Sequence, residues 1–411
     1  MNRAVVLSIG DELISGLIQN SNSRIIASYL KSHGIPVINI VTVGDSEPEI
    51  IRALEYAKYS QAPLIIVTGG LGSTHDDITR RVVAKYFGRQ LVFRPEILQK
   101  TEALYRRRGR KMPEIVRLQA YFPDRATPIP NPIGTAQGIQ IEQNGQQYCF
   151  LPGVPTEMES MLKESLAGLI NEMHGEPIYN RTIHVFGLTE GEIYTRLRDW
   201  IEQQSEIKVA FLPGLSDTTI RLTSQSAEGI KTCSKACQNI KSILGEFIIG
   251  YDDETLENVV ANILMTKQLT LSVAESCTGG LIANRLTNVP GSSAFFKTGI
   301  VAYSNESKIN ILGVEPGLIN EFGAVSEKVA CEMARQIRKI SQSSIGLSTT
   351  GIAGPTGATP QKPVGLVFIA IANAAGCQVY RFVYSRDRVS NKKLFSQAAL
   401  NQLRLALSQE S

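Results

Sequence analysis

Leu64-Ile65-Ile66-Val67-Thr68-Gly69-Gly70-Leu71-Gly72-Ser73-Thr74-His75-Asp76-Asp77 is the stretch on which the fold of the first half of the chain turns. An unbroken apolar run of this length, entered from Pro63 and left through glycines, reads as a buried strand followed by a tight loop and then a helix. Ala4–Ile9 and Val37–Val43 have the same texture, and each is followed by a polar or glycine-rich turn and a helical period. Strands that alternate with helices call for a parallel sheet with crossover helices, hence a layered α/β domain.

With 411 residues the chain exceeds a typical single core, and two or three domains are expected. An apolar fraction of 43% and a charged fraction of 19% describe a globular protein. The net charge of +4 is small for this length and argues for neither a nucleic-acid nor an acidic-membrane partner. No apolar run approaches the ~20 residues that span a bilayer, and the first run is too short for a signal-peptide core. Of the cysteines Cys149, Cys233, Cys237, Cys277, Cys331 and Cys377, only Cys233 and Cys237 are close, with no second pair to complete a zinc site. Reduced thiols in a cytoplasmic protein are the expectation. The basic run Arg106–Lys111 reads as a solvated helix end.

Near Pro177 the pattern changes. Arg181–Gly187, Ile207–Leu212 and Thr218–Thr223 alternate like strands and Glu190–Gln203 like a helix, so a small α+β module is expected over 173–250, as a spacer or dimerisation unit. A last domain, 251–411, again mixes the two periods. Its strands are read at Leu269–Ala274, Gly299–Tyr303, Ile345–Thr350, Val364–Ala372 and Gln378–Tyr384, and its helices at Ser326–Ile340 and Asn391–Ser408.

In the first domain, 1–172, two loops lie at the carboxyl edge of the parallel strands, where ligands bind in such sheets. One is Gly10-Asp11-Glu12-Leu13 and the other is the glycine loop of the opening stretch. The glycines Gly69, Gly70 and Gly72, with Thr74, would let backbone N–H groups approach a phosphate. Carboxylates beside a phosphate need a cation, so Asp11, Glu12, Asp76 and Asp77 are candidate ligands for a divalent metal such as Mg2+ or Co2+.

In the last domain the decisive fact is an absence. All four histidines, His33, His75, His174 and His184, precede residue 190. A serine or cysteine nucleophile there cannot be served by an imidazole of its own domain, so its base is a lysine, a carboxylate or a tyrosine. Polar residues cluster at strand exits: Glu275-Ser276-Cys277-Thr278-Gly279-Gly280, a second phosphate-type loop; Pro290-Gly291-Ser292-Ser293; Tyr303-Ser304-Asn305-Glu306-Ser307-Lys308; Thr350–Gly357; and Arg386 with Arg388. Cys277 reads as a small buried apolar residue before it reads as a nucleophile.

Ser8–Leu13, Gly69–Asp77, Asn131–Ala136 and Leu151–Pro155 together resemble the N-terminal domain of CinA proteins, and the strings of the last domain resemble the CinA C-terminal domain over its whole length. The resemblance implies a three-layer αβα molybdopterin-binding-like domain, with metal-dependent hydrolysis of ADP-ribose to AMP and ribose 5-phosphate. The family's usual proline is Ser73 here, which loosens that loop. For the αβα C-terminal domain it implies deamidation of nicotinamide mononucleotide (NMN) to nicotinate mononucleotide, with no cofactor. The implied nucleophile falls on Ser293, its lysine partner on Lys308 and a substrate-binding arginine on Arg388, with Thr278, Gly279, Tyr303, Asn305 and Gly351 as further substrate contacts. A homodimer that binds these nucleotides, away from membranes and nucleic acids, completes the expectation. The alternatives are a pterin- or nucleotide-binding module without turnover, and an interaction protein for DNA uptake or repair. Ser293 and Lys308 flank an expected strand, so the chain must fold back, or a second subunit contribute, for them to meet.

Overall fold

The structure, a computed structural model, describes residues 2–74, 77–173, 178–225 and 228–409. Contacts divide it into two compact units, Met1–Tyr179 with Gln225–Gly229, and Asn180–Ser224 with Ile230–Ser411.

The first unit carries β1 (Ala4–Ile9), β2 (Val37–Val43), β3 (Leu64–Thr68), β4 (Leu91–Phe93), β5 (Tyr121–Pro123), β6 (Thr127–Ile129), β7 (Gly138–Gln143) and β8 (Gln146–Leu151). Six of these form one sheet in the order β2-β1-β3-β8-β7-β6, and β4 pairs separately with β5. β2, β1, β3 and β8 are parallel neighbours, whereas β8, β7 and β6 form an antiparallel meander. Side chains of β1 alternate between two cores. Val5, Leu7 and Ile9 pack with Ile50 and Leu54 of the helix Glu47–Tyr59, while Ala4 and Val6 pack with Ile26 and Leu30 of the helix Ser21–Ser32. A strand buried on both faces cannot show the polar alternation of a half-exposed one, which is why β1 and β3 are almost entirely apolar. The unit is therefore a three-layer α/β domain.

The second unit begins with β9 (Tyr179–Val185), β10 (Lys208–Pro213), β11 (Thr218–Ser224) and β12 (Ile248–Tyr251), which form a sheet in the order β10-β11-β9-β12. Then follow β13 (Leu271–Glu275), β14 (Phe296–Val301), β15 (Ile345–Gly351), β16 (Leu366–Ala372) and β17 (Cys377–Val383), in the order β14-β13-β15-β16-β17. β14, β13 and β15 are parallel, β16 runs antiparallel to β15, and β17 runs antiparallel to β16 and so in the direction of the first three. Val367, Ile369 and Ile371 of β16 join Leu271, Val273 and Leu347 beneath the C-terminal helix, while Leu366, Phe368 and Ala370 face Ala330 and Ala334 of the helix Glu327–Ser341.

Most expected strands of the second unit are displaced by one to three residues at an end, and two of the shifted boundaries have a local reason. The strand expected at Gly299–Tyr303 ends at Val301, because the carbonyls of Ala302 and Tyr303 turn to the amine of Lys308. The terminal helix expected from Asn391 begins at Arg388, because the Asp387 carboxylate accepts from the N–H groups of Val389 and Ser390. Among the described residues no helix is long and apolar enough to cross a membrane.

Leu347 is fully buried in the central strand β15. Leu347→Ala is expected to destabilise the protein by ~2–5 kcal/mol, read by denaturant unfolding.

Candidate functional site

The carboxyl edge of β13 and β14 holds the one buried lysine of the described chain. Lys308, on the short helix Asn305–Asn310 capped by Ser304, is 1% exposed. Its Nζ lies 2.9 Å from Ala302 O, 3.3 Å from Tyr303 O and 3.0 Å from Ser276 Oγ. Burial holds its pKa below the ordinary lysine value. Two of the three neighbours are carbonyls, which only accept. The amine donates to both carbonyls and to the Ser276 hydroxyl; once it gives up a proton it keeps two N–H groups for the carbonyls and has a lone pair for that hydroxyl. Ser276, itself buried, is a neighbour of the lysine that the sequence reading did not single out. Its signal was its place in the strand exit Glu275–Gly280 of a domain without histidine.

Several expected substrate residues stand at the same edge. Arg388 donates to Tyr303 Oη and to Gly354 O, both at 2.6 Å. Thr278 is buried with its hydroxyl 2.8 Å from that of Thr349. Gly351 ends β15 where a Cβ would run into the Leu366 carbonyl and crowd Cys277. Asn305 is exposed at the start of the lysine's helix. Lys392, four residues after Arg388, brings its amine next to Gly279 and is a second cation that the sequence reading missed. Cys277 is buried and its thiol is pushed up to about 12, so it stays protonated and unreactive.

The loop Glu275–Gly280 does not act as the phosphate cradle its sequence suggested. The Glu275 carboxylate, 1% exposed, accepts from Ile282 N at 3.1 Å and Ala283 N at 2.8 Å. Those are the N–H groups of the following helix, and they are taken by the protein itself.

Ser293 stands elsewhere. It is exposed in the single 3-10 turn Ser292–Ala294 that leads into β14. Leu271 N donates to Phe295 O at 2.7 Å, so this turn sits at the amino edge of the sheet. From Leu271 to Ser276, at roughly 3.3 Å per residue, is about 17 Å of strand. Within one chain Ser293 and Lys308 lie at opposite ends of β14.

The first unit has a cavity of about 510 Å3 that gathers most of its expected loops. Glu12, Gly69, Gly70, Gly72 and Asp77 line it, joined by Thr135, Ala136, Pro152 and Gly153. Gly69 has φ 115°, and a Cβ there would strike the Ile9 carbonyl, so glycine alone fits. Thr74 is not available to a ligand as expected: its N–H and hydroxyl both go to the Asp77 carboxylate. Asp11 accepts from Asp45 N at 3.3 Å. Asp76 lies outside the described residues. Among the described residues no three His, Cys, Asp or Glu side chains come together to hold a metal ion. Of the three expected carboxylates that are described, Glu12 and Asp77 line the cavity and Asp11 does not.

Comparison with known families and proteins bears on both units. The family model "CinA C-terminal domain" matches residues 253–407. The model "Probable molybdopterin binding domain" matches 5–172, and "Damage-inducible protein CinA KH domain" matches 180–250. A CinA-like protein of Salinibacter ruber is 38% identical over 413 residues, covering 99% of this chain and 100% of its own. Another, of Geobacter metallireducens, is 42% identical over 394 residues, covering 94% and 95%. Among solved structures, the competence/damage inducible protein CihA from Agrobacterium tumefaciens is 38% identical, covers 37% of this chain and 95% of its own, and has a TM-score of 0.36.

The lowered pKa of Lys308 has a consequence for stability. An unfolded lysine stays protonated up to its ordinary value, whereas the folded one sheds its proton at lower pH, so the unfolded state binds more protons between the two. The folded state is favoured above this window and loses stability as pH falls through it. Replacing the amine by a thioether removes that dependence. Lys308→Met is expected to be more stable than the wild type at pH 7, with the gap narrowing as pH approaches 10.5, as read by urea unfolding at several pH values.

Proposed function

Because the chain belongs to the CinA family, with a molybdopterin-binding-like domain followed by a CinA C-terminal domain, we propose that its second unit hydrolyses the carboxamide of NMN to nicotinate mononucleotide and ammonia. The observation that carries this reading is the buried amine of Lys308, hydrogen-bonded to a serine hydroxyl and to no carboxylate, in a stretch, 251–411, with no histidine.

The chemistry needs an attacking hydroxyl that the substrate can reach. Ser293 is exposed and Ser276 is not, which favours Ser293 as the nucleophile and Ser276 as the group that hands its proton to Lys308. Ser293 reaches that edge from a second copy. β14 is an edge strand of its sheet. Two such edges paired antiparallel across a two-fold axis lay the start of one strand beside the end of the other, so Ser293 of one chain meets Ser276 and Lys308 of its partner. The homodimer is part of this proposal.

In the first step the Ser293 oxygen bonds to the carboxamide carbon as its proton passes through Ser276 to Lys308. The C–N bond then breaks, and ammonia leaves with the proton returned from the lysine. Water repeats the sequence: its oxygen bonds to the acyl carbon, its proton enters the relay, and Ser293 leaves as the hydroxyl. Arg388 and Lys392 supply positive charge for the substrate's phosphate, and the Tyr303 hydroxyl fixes the arginine.

For the first unit we propose a phosphorylated nucleotide, with ADP-ribose as the example, as the ligand of the cavity. Glu12, Asp45, Asp77 and Glu157 line it without a lysine or arginine. A bare diphosphate is repelled there, so Mg2+ or Co2+ is expected to be required, and chelation is expected to abolish both ADP-ribose binding and any release of AMP.

Ammonia release from NMN tests the deamidase. Lys308→Ala, Ser276→Ala and Ser293→Ala are each expected to lower kcat by about 100-fold or more while the fold is kept. Mixing and reassembling Lys308→Ala with Ser293→Ala chains is expected to restore up to about a quarter of the wild-type rate, since random pairing leaves one intact site in half of the dimers. A Ser293→Ala enzyme of full rate would assign the nucleophile to Ser276 within one chain. The rate is expected to rise with pH through one ionisation below the ordinary lysine value.

A further inference from the structure

Gln119 lies in the 3-10 helix Glu114–Ala120 and forms part of the wall of the first unit's cavity, yet it is only 4% exposed. Its Oε1 is buried and has no hydrogen-bond partner among the described residues. An amide oxygen withdrawn from water and left unpaired is a cost that folded proteins rarely carry without use. Here it stands beside a space of about 510 Å3, so a partner can arrive from outside the chain.

The turn that carries Gln119 is fixed to the glycine loop. The buried Arg80 guanidinium donates to Leu71 O at 2.8 Å and to Leu118 O at 3.4 Å. One cation therefore ties the residue before Gln119 to the middle of the loop Gly69–Gly72. Arg94 N donates to Ala120 O at 2.8 Å and holds the other side of the turn. The amide and the loop are two preorganised parts of one cavity.

We propose that Gln119 reads the hydrogen-bonding edge of a planar heteroaromatic ring on a ligand whose phosphate lies against the glycine loop. A carboxamide offers an acceptor and an adjacent donor, which match in two contacts a ring edge bearing the converse pair. Leu71, Ala136, Pro152 and Val154, in the same wall, supply apolar surface for the ring. The ligand class is a nucleoside phosphate, and a sugar phosphate lacking the ring is discriminated against. This rests on the nucleotide reading of the cavity given above and adds the residue that selects the base.

The full-length protein, Gln119→Met and Gln119→Glu are titrated by calorimetry with AMP and with ribose 5-phosphate in the presence of Mg2+, and their unfolding temperatures are measured alongside. The expected result is that Gln119→Met weakens AMP about tenfold or more and leaves ribose 5-phosphate within about twofold. A measurement on the unaltered protein guards against a variant that fails to fold: the purine riboside monophosphate that lacks the exocyclic amine is expected to bind about tenfold more weakly than AMP. Unchanged AMP binding together with a raised unfolding temperature in Gln119→Met would make the amide a buried defect and overturn the proposal. Equal weakening of both ligands would do the same, by making Gln119 a prop for the loop. If neither AMP nor ribose 5-phosphate binds the unaltered protein, the nucleotide reading of the cavity fails first, and this inference with it.

Discussion

A lysine amine taken almost wholly out of water is the constraint around which the second unit is organised. Desolvation of an ammonium is tolerated only if the proton is given up or the charge is matched, and no carboxylate faces Lys308 Nζ among its hydrogen-bond partners. Burial thus makes the Lys308 ammonium give up its proton more readily than a lysine in water does. The carbonyls of Ala302 and Tyr303 aim the lone pair. They can do so because β14 stops at Val301 and frees them from the sheet. The end of a strand, the start of a helix and the chemistry of an amine are one local event.

The same edge explains the treatment of cysteine and glutamate. Cys277 is buried at the same edge, and desolvation outweighs the nearby Lys308 and holds it as a thiol. The environment that weakens an ammonium also weakens a thiolate, since both are charged forms. One desolvated patch therefore activates the lysine and silences the rival nucleophile.

Much of the architecture was legible because burial on both faces leaves so strong a mark. Ala4–Ile9, Val37–Val43 and Leu64–Thr68 have the observed bounds; the first and third are apolar because two cores sandwich them, whereas Val37–Val43 is the edge strand and leaves Ile38 and Ile40 exposed. The site was legible only in part. Lys308 and Arg388 were visible as members of motifs, and Tyr303 does meet the arginine. Ser276 was not singled out, because a serine in a glycine-rich strand exit looks like a turn residue until an amine is seen beside it. The pairing of Ser293 with Lys308 could not be judged, because it depends on which edge of the sheet each end of β14 reaches. Gln119 was invisible for another reason: its significance lies in an unmet hydrogen bond, which only packing reveals.

The hardest feature to foresee is the fate of the helix after Gly280. A glycine-rich strand exit that opens a helix usually offers its N–H groups to an anion, and the sequence Glu275–Gly280 fits that form. Here the chain supplies its own anion: the buried Glu275 carboxylate, at the end of the strand next to the sheet edge, fills the position an external phosphate would take. The helix end is satisfied before any ligand arrives. A phosphorylated substrate at this edge must then be held by side-chain cations, and Arg388 and Lys392, one turn apart at the start of the last helix, are the ones positioned to do it. Recognition moves from backbone to side chain. On the proposed reading, affinity for a dianion rests on two side-chain cations, one of them held by Tyr303 and Gly354, and is screened by salt more strongly than a buried backbone cradle would be.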